Sequence, residues 1–212
     1  MTKPNPRTKL KNTPATSGDQ SPRRERLLAK PVIPVLSRES EEPALGAAAA
    51  VFIQGTTLGN LGALVAQVRA TAPDAAVLVH IDLIQGLAND EAGVEFLADL
   101  CPVDGIVTIR HHLADHARRQ GLLSVVRFFL QDTRALERAL AVIRKSRPDA
   151  VELLPAVAAA SVGDSFAGMN TPRIAGGLVR DSAMVETVLA SGCRAVTSTN
   201  PALWRLNEAR QW

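Results

Sequence analysis

The sequence predicts a small (β/α)8 barrel of the TIM type, an α/β fold, and three observations carry that reading. From Pro31 onward, short β-branched runs alternate with helix-period segments, the pattern of parallel βα units. Eight such units can be traced. Late in the chain, Ile174-Ala175-Gly176-Gly177-Leu178 precedes Ala195-Val196-Thr197-Ser198-Thr199, and the two runs read as the last two strands with a phosphate cup. In such barrels the loops after strands 7 and 8 often bind phosphate through backbone N–H groups, which side chains at Gly176 or Gly177 would obstruct. The implied ligand is a small phosphate ester. An open doubly wound sheet is the competing fold, but the glycine pair comes late and no GxGxxG follows the first strand,.

The chain opens on a tail, residues 1 to 28, ahead of a barrel spanning residues 29 to 212. Residues 1 to 30 carry Lys3, Arg7, Lys9, Lys11, Arg23, Arg24, Arg26 and Lys30 against Asp19 and Glu25, a local net of +6. This leaves the rest of the chain at −3 of the overall +3. A Pro, Ser, Thr and cation-rich segment without apolar periodicity buries too little surface to offset the entropy of ordering, so the tail is expected to be disordered. Two readings of it stand: a cationic arm that holds RNA phosphates by counterion release, and a solubilising extension with no specific partner.

The strands are expected at 32–36, 50–54, 76–82, 105–109, 124–130, 150–154, 173–177 and 195–198. Between them Leu61, Leu64, Val65 and Val68 recur at helical spacing, as do Val94, Leu97, Ala98 and Cys101, and then Leu136, Leu140 and Ile143. Each set lays one apolar stripe on a sheet. Asp90, Thr133 and Asp181 stand where N-caps are wanted, and Gly121 and Gly192 where helices end. The first and eighth helices are expected to be short, with Pro201 in the first turn of the last.

Length and composition set the frame. A chain of 212 residues, 46% apolar, buries a substantial core, though few chains this short complete eight βα units, so the barrel must be lean. Cys101 and Cys193 lie far apart without CxxC or Cys/His metal spacing and read as small core residues in a reducing cytoplasm. The longest apolar run, Ala44 to Ile53, is too short to cross a bilayer, and the first thirty residues hold no hydrophobic segment that would serve as a signal peptide. A soluble, cytoplasmic protein is expected.

Six runs then occur in a telling order: His80-Ile81-Asp82-Leu83 with Gly86-Leu87 and Asp90; Asp104-Gly105-Ile106-Val107-Thr108; Arg127-Phe128-Phe129-Leu130-Gln131-Asp132; Pro148-Asp149 leading to Glu152-Leu153-Leu154-Pro155; Ile174 to Leu178; and the closing Leu203-Trp204. In this order they resemble the glycerol-3-phosphate responsive antiterminator family over about Pro31 to Trp204. The resemblance implies a small barrel that binds sn-glycerol 3-phosphate and a leader mRNA and prevents premature termination of transcripts for glycerol catabolism. It implies a regulator rather than an enzyme, with the phosphate ester as effector and no cofactor, and it leaves oligomerisation open. Three departures stand out. Ala156 replaces the usual glycine after the Leu-Pro motif and opens an Ala-rich stretch; Thr197-Ser198-Thr199-Asn200 carries its hydroxyls in altered order; and Ile109-Arg110 follows Thr108 in place of Ser-Thr-Arg or Ser-Thr-Lys. The basic tail lies outside the resemblance.

The residues also carry their own chemistry. Strand alternation puts His80 and Asp82 on one face near the C-terminal end of the third strand, where barrels keep their sites. They form either a hydrogen-bonded structural pair or part of a ligand site. Arg127, alone among apolar neighbours, cannot lose its proton, so its burial requires an anion. Glu152 or Asp132 would supply an internal partner, and bound phosphate an external one. Gly176, Gly177, Ser198 and Thr199, with the N-terminus of a helix at Pro201 to Leu203, converge donors and a positive dipole on one point, although a glycine pair at a strand end also serves a tight turn. On the family resemblance, His80, Asp82, Thr108, Arg127 and Glu152 are the interior polar set expected to address the glycerol moiety. Trp204 is expected to anchor its short helix, and the absence of Tyr leaves few stacking platforms for bases. His112 and His116 have i, i+4 spacing without an interleaved Glu and read as a solvated helix face, with no metal. An isomerase or aldolase acting on a triose or pentose phosphate is the alternative, since the barrel and cup are shared with such enzymes. That reading lacks a strand-borne Lys for a Schiff base.

Overall fold

In the computed structural model, which describes residues 21–37, 45 and 47–208, eight parallel strands close into a barrel in sequential order. They are β1 (Val32–Leu36), β2 (Ala50–Ile53), β3 (Ala76–His80), β4 (Gly105–Thr108), β5 (Leu123–Phe129), β6 (Ala150–Leu154), β7 (Arg173–Ala175) and β8 (Ala195–Ser198). The ladder closes where Val32, Ile33 and Pro34 of β1 pair with Val196, Thr197 and Ser198 of β8. Every strand thus has two neighbours and no edge is left open. The expected strands all form, several of them a residue or two shorter than expected.

Both faces of these strands are covered, which is why they read as unbroken apolar runs. Ile33, Val35, Ala50, Phe52, Leu78, Val107, Leu123, Val125, Ala150, Ile174 and Ala195 fill the barrel interior. Their alternates, among them Val51, Val77, Val79, Ile106, Val151, Leu153 and Val196, join the core under the surrounding helices. Those helices are α2 (Leu58–Thr71), α3 (Glu91–Leu100), α4 (His111–Arg119), α5 (Thr133–Ser146), α6 (Ala156–Ser161), α7 (Ser182–Ala190) and the four-residue α8 (Pro201–Trp204), with α1 (Ser21–Leu27) ahead of the barrel. The stripe Leu61, Leu64, Val65 and Val68 is the buried face of α2.

Asp90 and Asp181 cap α3 and α7, accepting from the N–H groups of Gly93 and Met184 at 3.0 and 2.9 Å. For α5 the expected cap moves back one residue. Asp132, not Thr133, accepts from the Ala135 N–H at 2.7 Å, because the cap carboxylate must reach the N–H three residues on. Gly121 and Gly192 follow the last residues of α4 and α7 as expected. The expected helix between β1 and β2 lies mostly outside the described residues. Cys193 is buried, Cys101 half-buried, and neither is bonded to the other; burial raises both thiol pKa values, which keeps them protonated and unreactive.

The tail boundary is a correction. Residues 1–20 lie outside the described residues, but Ser21–Leu27 is a helix, and Leu27 and Leu28 pack into the same cluster as the inward strand residues. Leu27 is fully buried. Helix α1 therefore closes the N-terminal mouth of the barrel, a plug held by Arg23, whose Nη1 donates to the Gly121 carbonyl at 2.6 Å and whose Nη2 lies 3.7 Å from Asp104 Oδ1. Two adjacent leucines after a cationic run carry no period that composition can register; the apolar mouth they fill exists only in the closed barrel.

Candidate functional site

The inward positions turn polar at the C-terminal end of the barrel. Along β5 the interior sequence is Leu123, Val125, Arg127; along β6 it is Ala150, Glu152; along β8 it is Ala195, Thr197, because every second residue points inward. Arg127 pairs with Glu152 across neighbouring strands. Its Nε donates to Glu152 Oε2 at 2.6 Å, with the two side chains 9% and 1% exposed. The internal partner is therefore Glu152, while Asp132 serves as the α5 cap. Thr197 Oγ1 donates to the other Glu152 oxygen at 2.7 Å, and Arg127 Nη1 and Nη2 donate weakly to Gln54 Oε1 at 3.3 and 3.4 Å. Of the five guanidinium N–H donors, two remain uncommitted.

A cavity of about 160 Å³ opens above this layer, lined by Gln54, Arg127, Glu152, Thr197, Ser198, Thr199 and Gly177, with Val35, Leu154, Leu178 and Val179. Drug-sized ligands occupy roughly 300–1,000 Å³, so only a small molecule fits. The sequence anticipated Arg127, Glu152, Gly177, Ser198 and Thr199 here; it missed Gln54 and the inward hydroxyl of Thr197. For Gln54 the signal was its place directly after a strand, at the end where barrel sites gather.

The two glycines act differently from expectation. Gly176 is not an open donor, since its N–H bonds the Leu153 carbonyl at 3.0 Å. It is glycine because a Cβ there would press on Thr197 Oγ1 and lie 2.8 Å from Glu152 Oε1, so its bareness makes room for the Glu152 network. Gly177, at φ +73°, occupies the left-handed region open to glycine. Leu178 follows at φ +59°, a strained conformation for a bulky residue of the kind that gathers at binding loops. No hydrogen bond among the described residues occupies the N–H of Gly177 or Leu178. Ala156, the departure in the sixth loop, ties that loop to this one: its N–H donates to the Gly177 carbonyl at 3.1 Å.

The last helix does not contribute donors as expected. Pro201 has no N–H, Ala202 N–H is taken by Asn200 Oδ1 at 3.0 Å, and Leu203 N–H by the Asn200 carbonyl. A four-residue helix also builds little dipole. Ser198 Oγ accepts from Asn200 N–H at 3.1 Å, and Trp204 anchors the segment by donating to the Ser198 carbonyl at 2.8 Å.

His80, Asp82 and Thr108 stand at the same end but do not line the cavity. Strand β3 ends at His80, and Ile81–Leu83 turns as a 3-10 helix, so a turn, not strand alternation, brings Asp82 near His80. Their closest atoms are 3.6 Å apart, beyond a hydrogen bond. Asp82 instead accepts from the Ile109 N–H at 3.1 Å and lies 3.3 Å from Arg110 Nε. Thr108 Oγ1 accepts from the Arg110 N–H at 3.1 Å, which makes Arg110 a brace for this corner. His116 is a further correction: it is buried, with Glu91 and Glu95 within 3.4 and 3.3 Å of its ring nitrogens, rather than on a solvated face. Among the described residues no group of three or more His, Cys, Asp or Glu is placed to hold a metal ion.

Burial, then the positive charge of Arg127, lowers the His80 pKa to about 4, so the ring is neutral at pH 7. The unfolded chain protonates near 6.5, so stability is complete above pH 6.5 and declines as the pH falls to about 4,. The whole loss is roughly 3 kcal/mol. Denaturant unfolding at successive pH values is expected to show this slope in the wild type and to lose it in His80→Gln.

Among the described residues no helix is long and apolar enough to cross a membrane. The family model of the glycerol-3-phosphate responsive antiterminator matches residues 32–204. The glycerol uptake operon antiterminator regulatory protein of Listeria monocytogenes is similar in structure, with TM-score 0.72 and 32% identity over 82% of this chain and 95% of that one. A glycerol uptake operon antiterminator-related protein of Thermotoga maritima aligns with TM-score 0.74 and 27% identity over 83% and 98%. An uncharacterised protein of Escherichia coli K12, YgcP, is 30% identical over 60% of this chain and 67% of its own length. With the match running through all eight strands, the chain belongs to the glycerol-3-phosphate responsive antiterminator family.

Proposed function

We propose that this protein is a metabolite-gated antiterminator: the cavity at the C-terminal mouth binds sn-glycerol 3-phosphate, and occupancy favours the state that binds leader RNA of glycerol-catabolism transcripts. One observation carries the ligand assignment. A small open-mouthed cavity sets the uncommitted N–H donors of Arg127 beside the open N–H groups of Gly177 and Leu178 and the hydroxyls of Ser198 and Thr199, a donor set that suits phosphate. Glu152 is the acceptor for a glycerol hydroxyl. His80, Asp82 and Thr108 support the wall rather than touch the ligand in this reading. The Arg127–Glu152 pair is charge-neutral, so selectivity for the ester rests on donor geometry more than on net charge.

Calorimetric titration of sn-glycerol 3-phosphate, with and without leader RNA, tests the reading. By linkage the ester should bind more tightly with RNA present, by the same factor that it tightens RNA. Equal affinity in both titrations would remove the gating, and turnover of the ester would replace the regulator by an enzyme. Gly177→Val is expected to weaken the ester on the order of 100-fold while far-UV circular dichroism is unchanged, because a β-branched residue disfavours a positive φ and the loop must move. Unaltered affinity would take the cup out of the site.

A further inference from the structure

The opposite face of the barrel carries a basic groove. Arg24 of α1, Arg144 in the last turn of α5, Arg147 just after it, and Asn170 and Thr171 ahead of β7 line a depression of about 580 Å³. A second depression shares Arg24 and Asn170 and reaches Arg194. A third shares Arg194 and runs along Lys30. Together they follow α1 across the N-terminal ends of β6, β7 and β8. Five cations border the path and Glu25 is its one carboxylate. Among the described residues no carboxylate pairs with Arg24, Arg144, Arg147 or Arg194.

A helix dipole accounts for Arg144 and Arg147 at the end of α5,, but not for the convergence on them of Arg24 and Arg194 from two other segments. Gathering like charges in a concavity costs repulsion that a polyanion would relieve. In the sequence, Lys3, Arg7, Lys9 and Lys11 stand ahead of α1 and add to the cationic character of this stretch of chain. A lipid surface fits less well. Among the described residues the exposed large hydrophobics are Leu83, Leu100, Ile109, Phe129, Val157 and Leu178, none of which borders the groove, and interfacial binding needs apolar anchors.

Resting on the regulator reading above, we infer that the groove along α1, bordered by Arg24, Arg144, Arg147 and Arg194, is the surface that holds the RNA phosphate backbone. With no aromatic side chain in its lining, it grips phosphates without stacking on bases.

The test uses the full chain and a fluorescein-labelled oligouridylate, with binding followed by anisotropy over a range of salt concentrations. The triple variant Arg24→Gln/Arg144→Gln/Arg147→Gln is compared with Arg134→Gln/Arg138→Gln/Arg180→Gln, which loses equal charge elsewhere from exposed positions. Each phosphate contact on a single strand contributes roughly 0.7 to the log–log salt slope. The groove triple should therefore lower the slope by about 2 and weaken binding at least tenfold, while the control triple stays near wild type and both keep wild-type affinity for sn-glycerol 3-phosphate. Equal weakening by the two triples overturns the groove and leaves the regulator standing. Wild-type protein that binds no RNA, with or without the ester, overturns both. Retention on phosphatidylserine vesicles in preference to oligouridylate makes the groove a lipid site and overturns the assignment.

Discussion

Glu152→Ala should lower the free energy of unfolding by about 3–5 kcal/mol, since removing one member of a buried pair strands the other charge. Arg127 is 9% exposed and keeps only two long contacts to Gln54 once the 2.6 Å bond to Glu152 is gone. Thr197 also loses its acceptor. Denaturant unfolding measures the loss. The double substitution Arg127→Met/Glu152→Leu separates charge from packing: an apolar pair of similar volume should recover most of the stability, yet bind no sn-glycerol 3-phosphate in calorimetry. If the double variant is as unstable as the single, the interior needs the pair for its shape. If it still binds the ester, the polar layer is not the site.

Leu27→Ala is the second large effect, at about 2–5 kcal/mol for a fully buried leucine. The residue is 0% exposed and packs with the inward leucines and valines of the strands. Alanine there leaves a void at the N-terminal mouth that the closed barrel cannot collapse to fill. Removing residues 1–28 should cost at least as much by thermal unfolding, because it takes out both Leu27 and Leu28. A truncated protein with wild-type stability would return these residues to the tail. Because α1 also borders the basic groove, the truncation is expected to weaken RNA as well, which is why point substitutions rather than deletion are used to test the groove.

Much of the fold was legible because its signals are local. Strand positions followed from β-branched runs, since a strand buried on both faces shows no alternation to misread. Asp90 and Asp181 announced their helices by the short reach of a cap. The misplacement at Thr133 came from choosing between adjacent cap residues, a matter of backbone angle rather than composition. His80 and Asp82 share a strand face only if β3 runs on to Asp82, whereas the chain turns after His80, and the carboxylate finds the Ile109 N–H in the next loop.

The site was half legible. Arg127 stood out because a guanidinium in an apolar run must have an anion, and Glu152 occupied the neighbouring strand. Gly176 and Gly177 stand out in the sequence as a pair, but the reason for Gly176 lies in the packing: its N–H is taken by the Leu153 carbonyl and its missing Cβ leaves room for Glu152 and Thr197. Gln54 and Thr197 are ordinary residues in sequence. They matter only because barrel closure brings β2 and β8 to the same mouth as β5 and β6.

The order of βα units, the apolar wall and the family follow from the amino-acid order, because period-2 and period-3.6 patterns and short motifs are read over a few neighbouring residues. Tertiary structure alone decided who meets whom. Arg127 reaches Glu152 and Gln54 across separations of 25 and 73 residues, Leu27 finds a mouth built by eight strands, and cations from α1, α5 and the loops before β6 and β8 come to border one groove. Such meetings depend on the curvature and closure of the barrel as a whole, and no window along the chain contains them.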